Sequence, residues 1–423
     1  MRKCCTATVL LLLLAQLMLS GSLIPASTPK VDASSEPPAW PEGGAAYDNV
    51  ATLAGFGYRK VDTTANSNAR DWIAEELVGL GLDVERHGFA TEDCDDCENI
   101  VVTINGTLED DWLVFGAHHD AICYVPVPVG ITYAGCSSSG AYDDGTGSGA
   151  LLELARAISQ WNGTPQKTWK LGWWDYEEYQ GQGSSEGGGQ GSLNFVSEHI
   201  PEGTNVTYVN LDMFGLSWPV PTPAASRASG CDEDFWTLYM FTSPVEDWSY
   251  YEDRGLEISE EMRANAEWFQ TRLKTINSNL SHPEEWVRVI DDTRGNSDHF
   301  NFIMRGHTAT WLRGQHQYVY QEGDTCEQTP KHAQSDSMST LNTMAGGRSN
   351  VEAGLQTGLD IMATLAWWDL QQGINASTSS STGDEATDEG LFAGSAVPLP
   401  LSLALLLLAG LAASRRSRDE GEP

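Results

Sequence analysis

The chain is 423 residues long, enough for one large catalytic domain or two small ones. Hydrophobic residues make up 40% of it, with 15 Trp, so a substantial buried core is available. Its 59 acidic side chains against 24 basic ones give a formal net charge of −35, which favours solubility, repels nucleic acid and excludes that class of partner.

Arg2 and Lys3, the apolar run Val9 to Leu19 and the small residues from Ser20 to Ser27 follow the three-part order of an export signal, assigned to residues 1–26. The run is shorter than the ~20 residues of a membrane-spanning helix. Residues 27–44 read as a lead-in linker and 45–372 as the globular domain. Within it, Ala69 to Leu80 has apolar residues at helical spacing (Trp72, Ile73, Leu77, Leu80), and Gly81 can end that helix. Leu82 to Phe89, Asn99 to Ile104 and Trp112 to Ala117 are of strand length and composition. Ala150 to Trp161 is a predicted helix with Leu151, Leu154 and Ile158 on one stripe, and Thr168 to Trp174 and Val206 to Leu211 are further strands. Such alternation predicts an α/β sandwich around a mostly parallel sheet, with ligand sites beyond the carboxyl ends of its strands.

Residues 373–390, rich in Ser, Thr, Asp and Glu, read as a second linker. Residues 391–414 are apolar despite Pro398 and Pro400, and Arg415, Arg416 and Arg418 open the tail 415–423. This segment reads either as a membrane-spanning anchor with the arginines inside or as a sorting signal removed on attachment to the envelope. Both readings tether an exported domain at the cell surface. Cys4 and Cys5 leave with the signal; Cys94, Cys97, Cys123, Cys136, Cys231 and Cys326 remain, an even set that suggests disulfides. The expected bridges are Cys123–Cys136 and Cys231–Cys326. Cys94 and Cys97 form a tight local bridge, a redox pair or half of a structural zinc site.

The informative residues follow the strands. Trp112-Leu-Val-Phe-Gly-Ala-His118-His119-Asp120 delivers a histidine and an aspartate to a strand end. Gly140-Ala-Tyr-Asp143-Asp144-Gly is a turn presenting a carboxylate ahead of a helix. Trp173-Trp-Asp-Tyr-Glu177-Glu178 and Asn210-Leu-Asp212-Met end on carboxylates, and Lys331-His332-Ala-Gln-Ser-Asp336 is a late loop with a histidine. In a chain this acidic, any one of these carboxylates reads as solvated charge. Two imidazoles and three carboxylates at strand ends together suit zinc, and a shared carboxylate suits a pair of ions. Two metals about 3.5–4 Å apart can hold a bridging hydroxide and polarise a peptide carbonyl. Of adjacent glutamates, Glu178 can bind metal while Glu177 acts as general base. Asp120 is spaced to accept the second N–H of His118.

These segments, in this order, resemble the zinc exopeptidases typified by secreted bacterial leucyl aminopeptidases, a family that also contains glutamate carboxypeptidases and glutaminyl cyclases. The resemblance spans roughly Ala69 to Asp336. It implies a three-layer α/β/α sandwich with a mixed, mostly parallel central sheet. It also implies two Zn2+ ions: His118 and Asp212 on one, Glu178 and His332 on the other, Asp143 bridging. Glu177 is implied as the catalytic base, with Asp120 behind His118. Ser297-Asp298-His299 and Phe302 match a segment near the substrate pocket, with His299 not a ligand. His119 is a rival ligand. Gly181 to Gly191 and Trp218 to Tyr251 stand out as insertions able to restrict access. The expected activity is removal of N-terminal residues from peptides outside the cell. The alternative is a carboxypeptidase or dipeptidase of the same family, for which Arg294 and Arg313 could supply a carboxylate site. Glutaminyl cyclases need one zinc, whereas the whole two-metal set is present here. A non-catalytic surface binding protein on the same fold is the reading from a different class.

Overall fold

The computed structural model describes residues 38–126, 131–132, 135–178, 188–215, 236–282, 287–292, 295–316 and 330–379. The export signal, the segments 391–414 and 415–423, the Cys231–Cys326 bridge and Arg294 lie outside these residues. Among the described residues no helix is long and apolar enough to cross a membrane. The chain divides into two units, residues 1–374 and 375–423; of the second only residues 375–379, helical, are described.

In chain order the elements are α1 (Gly43–Gly55), α2 (Thr64–Gly79), β1 (Val84–Phe89), β2 (Cys97–Ile104), β3 (Leu108–His118), β4 (Val125–Pro126), β5 (Ile131–Thr132), α3 (Gly145–Ser159), β6 (Lys167–Trp174), α4 (Gln190–Glu198), β7 (Asn205–Leu211), β8 (Trp236–Thr242), α5 (Ser249–Glu252), α6 (Glu260–Asn279), β9 (Val287–Asp291), α7 (His299–Ile303), β10 (Thr308–His316), α8 (Met338–Ala345) and α9 (Arg348–Ser379). The main sheet has eight strands in the order β1-β2-β6-β3-β7-β10-β8-β9. Its centre, β6-β3-β7-β10, is parallel, while β2 and β8, which flank this centre, run antiparallel to its edge strands β6 and β10. The sheet is mixed, as expected.

Period-two alternation divides the strand side chains between two cores. Ile100, Val102, Phe115, Trp173, Val209 and Leu211 face the core shared with α1, α2, α3 and α9. Val101, Val114, Trp174, Val206 and Tyr208 face the other, with Phe195 of α4, Tyr251 of α5 and Phe302 of α7. This is the α/β/α sandwich. Gly116 in β3 lets the layers close: a Cβ there would meet Trp174 Nε1 at 2.4 Å and Tyr208 OH at 2.5 Å.

The structure departs from the sequence expectations at three places. Packing begins before residue 45, because Trp40 Nε1 donates to Asp360 (2.7 Å) and Gly43 N to Gln356 (2.7 Å), both on α9. At the other end α9 continues to Ser379, past the expected start of the linker at 373. Trp218 to Tyr251 is not wholly an insertion, since β8 within it pairs with both β10 and β9. Cys94–Cys97 and Cys123–Cys136 are disulfides, which leaves no role for Cys94 and Cys97 as a zinc half-site.

Candidate metal centre

Three adjacent parallel strands end at one point. β3 ends on His118, β6 runs on to Glu177 and Glu178, and β7 to Asp212. Asp143 comes from the turn that opens α3, and His332 from the segment after β10. His118 Nε2 lies 3.2 Å from Asp143 Oδ1 and 3.7 Å from Asp212 Oδ1. His332 Nε2 lies 3.2 Å from Asp143 Oδ2 and 2.9 Å from Glu178 Oε2. Asp143 thus turns one oxygen toward each histidine. Glu177 Oε2 is 3.9 Å from His118 Nε2, at the edge of the same cluster.

Each of these groups is held by others. Asp120 Oδ1 is 3.2 Å from His118 Nδ1, leaving Nε2 to face Asp143 and Asp212. The same carboxylate accepts the backbone N–H of Glu177 (3.1 Å) and of Glu178 (3.2 Å). Asp120 therefore ties the end of β3 to the turn after β6. Ser297 Oγ donates to Asp212 Oδ2 (2.7 Å) and accepts from Asn210 Nδ2 (2.8 Å). Asp336 accepts from the backbone N–H of Tyr142 (2.7 Å) and Asp143 (3.1 Å). Asp144 caps α3 through Gly147 N (2.8 Å) and also accepts from Met213 N (3.1 Å), joining the Asp143 turn to the segment after β7. His332 Nδ1 is 3.4 Å from Tyr124 OH, next to the Cys123–Cys136 disulfide.

Arg59, Tyr124 and Ser297 were not singled out as supports by the sequence. Arg59 is fully buried, and its guanidinium donates to the carbonyls of His119 (2.7 Å), Ser139 (2.5 Å) and Gly140 (2.9 Å). It pins the end of β3 against the turn that carries Asp143. These three partners are main-chain atoms 60 or more residues away in sequence, which no motif records. His119, the rival ligand, points away: its Nε2 is 3.3 Å from Glu98 O and 4.0 Å from Asp175 Oδ1. His299 bonds Asp292 (3.1 Å) and stacks on Trp311, apart from the cluster.

Burial pushes the His118 imidazole down, but Asp120, Asp143 and Asp212 overturn this and hold it well above its ordinary value. Burial likewise opposes, yet Glu178 and Asp143 raise His332 to about 12. Burial raises the Asp143 carboxyl, and the two histidines outweigh it and hold it low. Glu177 is raised well above the carboxylate range by burial, with His118 opposing and Glu178 adding to the rise. Burial raises Glu178 to about 7. So dense a buried set of acceptors calls for positive charge, which two imidazolium protons or metal ions would provide. His118 Nε2, Asp143 Oδ2 and Asp212 Oδ1 are buried with no hydrogen-bond partner among the described residues. Tetrahedral zinc with ~2.0–2.2 Å bonds places its ligand atoms roughly 3.3–3.6 Å apart, close to the separations here. The donor set fits zinc. Two triads, His118–Asp143–Glu178 and His118–Asp144–Asp212, have ligand atoms within 4.8 Å of one another. In the second, Asp144 Oδ1 is already engaged as the α3 cap.

A cavity of about 340 Å³ opens over the cluster, lined among others by Asp143, Glu177, Asp212, Trp311, Arg313 and Lys331. Arg313 packs its guanidinium 5.0 Å from the Trp311 ring centre.

The sequence pattern of peptidase family M28 matches residues 99–350. A probable glutamate carboxypeptidase of Arthroderma benhamiae is 31% identical over 135 residues, 30% of this chain and 15% of that protein. The chain thus spans only a small part of that relative's length. A glutaminyl cyclase of Bacteroides thetaiotaomicron superposes with a TM-score of 0.55 at 17% identity, covering 77% of this chain and 99% of that one. A leucine aminopeptidase precursor of the same organism gives 0.54 at 16% identity, covering 78% and 99%. These likenesses are in the fold.

Proposed function

Because this chain belongs to peptidase family M28, we propose that it is a two-zinc exopeptidase that removes N-terminal residues from peptides outside the cell. The observation that carries this reading is Asp143, whose two carboxylate oxygens face His118 and His332 separately. His118 and Asp212 would hold one ion, Glu178 and His332 the other, with Asp143 between them. When bound, zinc supplies Lewis-acid polarisation of the scissile carbonyl and lowers the pKa of a water. Glu177 lines the cavity and is the general base: it takes a proton from the attacking water and returns it to the leaving amine. Asp120 fixes the tautomer of His118 and the backbone of both glutamates. The two disulfides support an oxidising, exported setting, and the C-terminal segment is assigned as the surface tether.

Removal of C-terminal residues is a second reading. Arg313 and Lys331 bring positive charge into a cavity otherwise rich in carboxylates, and could engage a free carboxylate. The zinc-loaded protein is incubated with peptides free or acetylated at the N-terminus, and free or amidated at the C-terminus. Mass spectrometry is expected to show single-residue loss from the N-terminus that acetylation blocks. Loss from the C-terminus that amidation blocks would decide for the carboxypeptidase.

A further inference from the structure

Glu177 and Glu178 sit on a turn shaped by the residue before them. Tyr176 has φ 56°, the left-handed region that a bulky side chain adopts only where its surroundings over-determine it. They do so on every side. The ring is fully buried in a small apolar cluster of its own, made with Val61, Cys94 and Cys97, with Phe89 packed against it. Its hydroxyl donates to Asp93 Oδ2 (3.1 Å), its N–H donates to Asp175 Oδ1 (3.0 Å), and its carbonyl accepts from Gln190 N (2.9 Å). The next carbonyl, that of Glu177, accepts from Gly189 N (2.7 Å). One wall of this socket is the Cys94–Cys97 disulfide, at the end of the loop that joins β1 to β2 and carries Asp93.

We infer that Tyr176 is a positioning residue for Glu177, and that the Cys94–Cys97 disulfide is the wall that keeps it seated, so that opening this disulfide slows turnover. The inference rests on the peptidase reading above. The strained φ stores a tendency to relax to negative values. Truncating the ring or opening its wall lets that happen. The peptide planes on either side of Tyr176 then rotate, and the Glu177 carboxylate leaves its place beside His118. Misplacement of a reacting group by ~1 Å costs about 100-fold in rate. Both cysteines are nearly inaccessible, at 2% and 1% exposed, so substitution is the cleaner way to open the bridge. A phosphine reductant does the same covalently: the S–S bond breaks, water supplies a proton to each sulfur, and its oxygen leaves as phosphine oxide.

The test uses the full zinc-loaded protein and three variants, Tyr176→Ala, Tyr176→Phe and Cys94→Ser/Cys97→Ser. Each is read for kcat, KM, zinc content and amide hydrogen exchange. Tyr176→Ala is expected to lower kcat roughly 10- to 100-fold with KM within about twofold and zinc content unchanged. Tyr176→Phe, which keeps the ring, is expected to recover most of the loss. The double serine variant is expected to fall between them and to be slowed less by the phosphine than the parent. Exchange at Gly189 and Gln190 should quicken in Tyr176→Ala while the α9 amides keep the parent's protection. Parent-like kcat in both Tyr176→Ala and the serine variant overturns the inference. So does a kcat loss matched by zinc loss, or by faster exchange throughout the domain, which marks a merely structural role. A parent that cleaves no peptide defeats the peptidase reading, and the exchange at Gly189 and Gln190 then still decides whether Tyr176 seats the turn.

Discussion

Glu177 differs from the carboxylates beside it in what surrounds it. Asp143, Glu178 and Asp212 lie against histidine nitrogens or a serine hydroxyl at 3.2 Å or less, whereas Glu177 comes no nearer than 3.9 Å to His118. On that geometry Glu177 is proposed as the base rather than as a metal ligand. Glu177→Gln keeps the shape and removes the base, so kcat is expected to fall about 10²- to 10⁴-fold with zinc content unchanged. Parent-like turnover in that variant, measured on the peptide cleaved fastest, would move the base to another residue. The residues proposed as ligands were legible because each follows a recognisable strand in a recognisable order. Arg59 was not: its work is to bond three carbonyls brought together by folding, and an isolated arginine between Tyr58 and Lys60 signals nothing of that kind. His119 shows the converse. It neighbours His118 in sequence, yet successive side chains at a strand end point to opposite faces, and it is directed to Glu98.

At the level of elements, the strands that carry the site were the easiest to read. β3 and β6 are dense in Trp, Leu, Val and Phe because both of their faces are buried. The later elements were harder. β8, β9 and β10 were not assigned from sequence, and β8 was taken for part of an insertion. β8 is held by its partners on both sides rather than by a clean periodicity of its own. α1 lies across the boundary expected for a linker, because Trp40 and Gly43 gain their partners only when α9, some three hundred residues on, packs beside them. The density of the central sheet allows a test at this scale. Gly116→Ala in β3 would drive a methyl group into Trp174 and Tyr208, and overpacking of this kind costs about 1–3 kcal/mol. Thermal unfolding should register a lower Tm for Gly116→Ala. An unchanged Tm would mean that the two rings yield freely.

For the whole molecule, the site is a concentration of like charge held in place by the fold. Without metal, burial raises Glu178 to about 7, well above the ~4.3 of an unfolded glutamate, so the folded state binds more protons between those values. Stability contributed by this group is present at low pH and is lost as pH rises from about 4 to about 7. His332, raised to about 12 by Glu178 and Asp143 against burial, contributes stability below ~6.5 that is lost as pH rises above it. Zinc acts in the opposite sense, since its ligands must be deprotonated to bind it. Chelation should therefore lower Tm, and the gap between zinc-loaded and metal-free protein should widen from pH 5 to pH 8. A gap that is absent, or that narrows with pH, would count against these residues as the metal site.

The sequence by itself determined the α/β class, the family and the order in which the chemical groups arrive, because a strand's burial pattern and the residue at its end are local properties. It determined the Cys123–Cys136 bridge for the same reason, the two being close along the chain. Only the tertiary structure decided which groups meet. It divided the oxygens of Asp143 between His118 and His332, turned His119 away, set Arg59 under the Asp143 turn and closed the Tyr176 socket with a disulfide. These relations join atoms tens to hundreds of residues apart. They exist only once the parallel strands lie side by side and bring their carboxyl ends to one place.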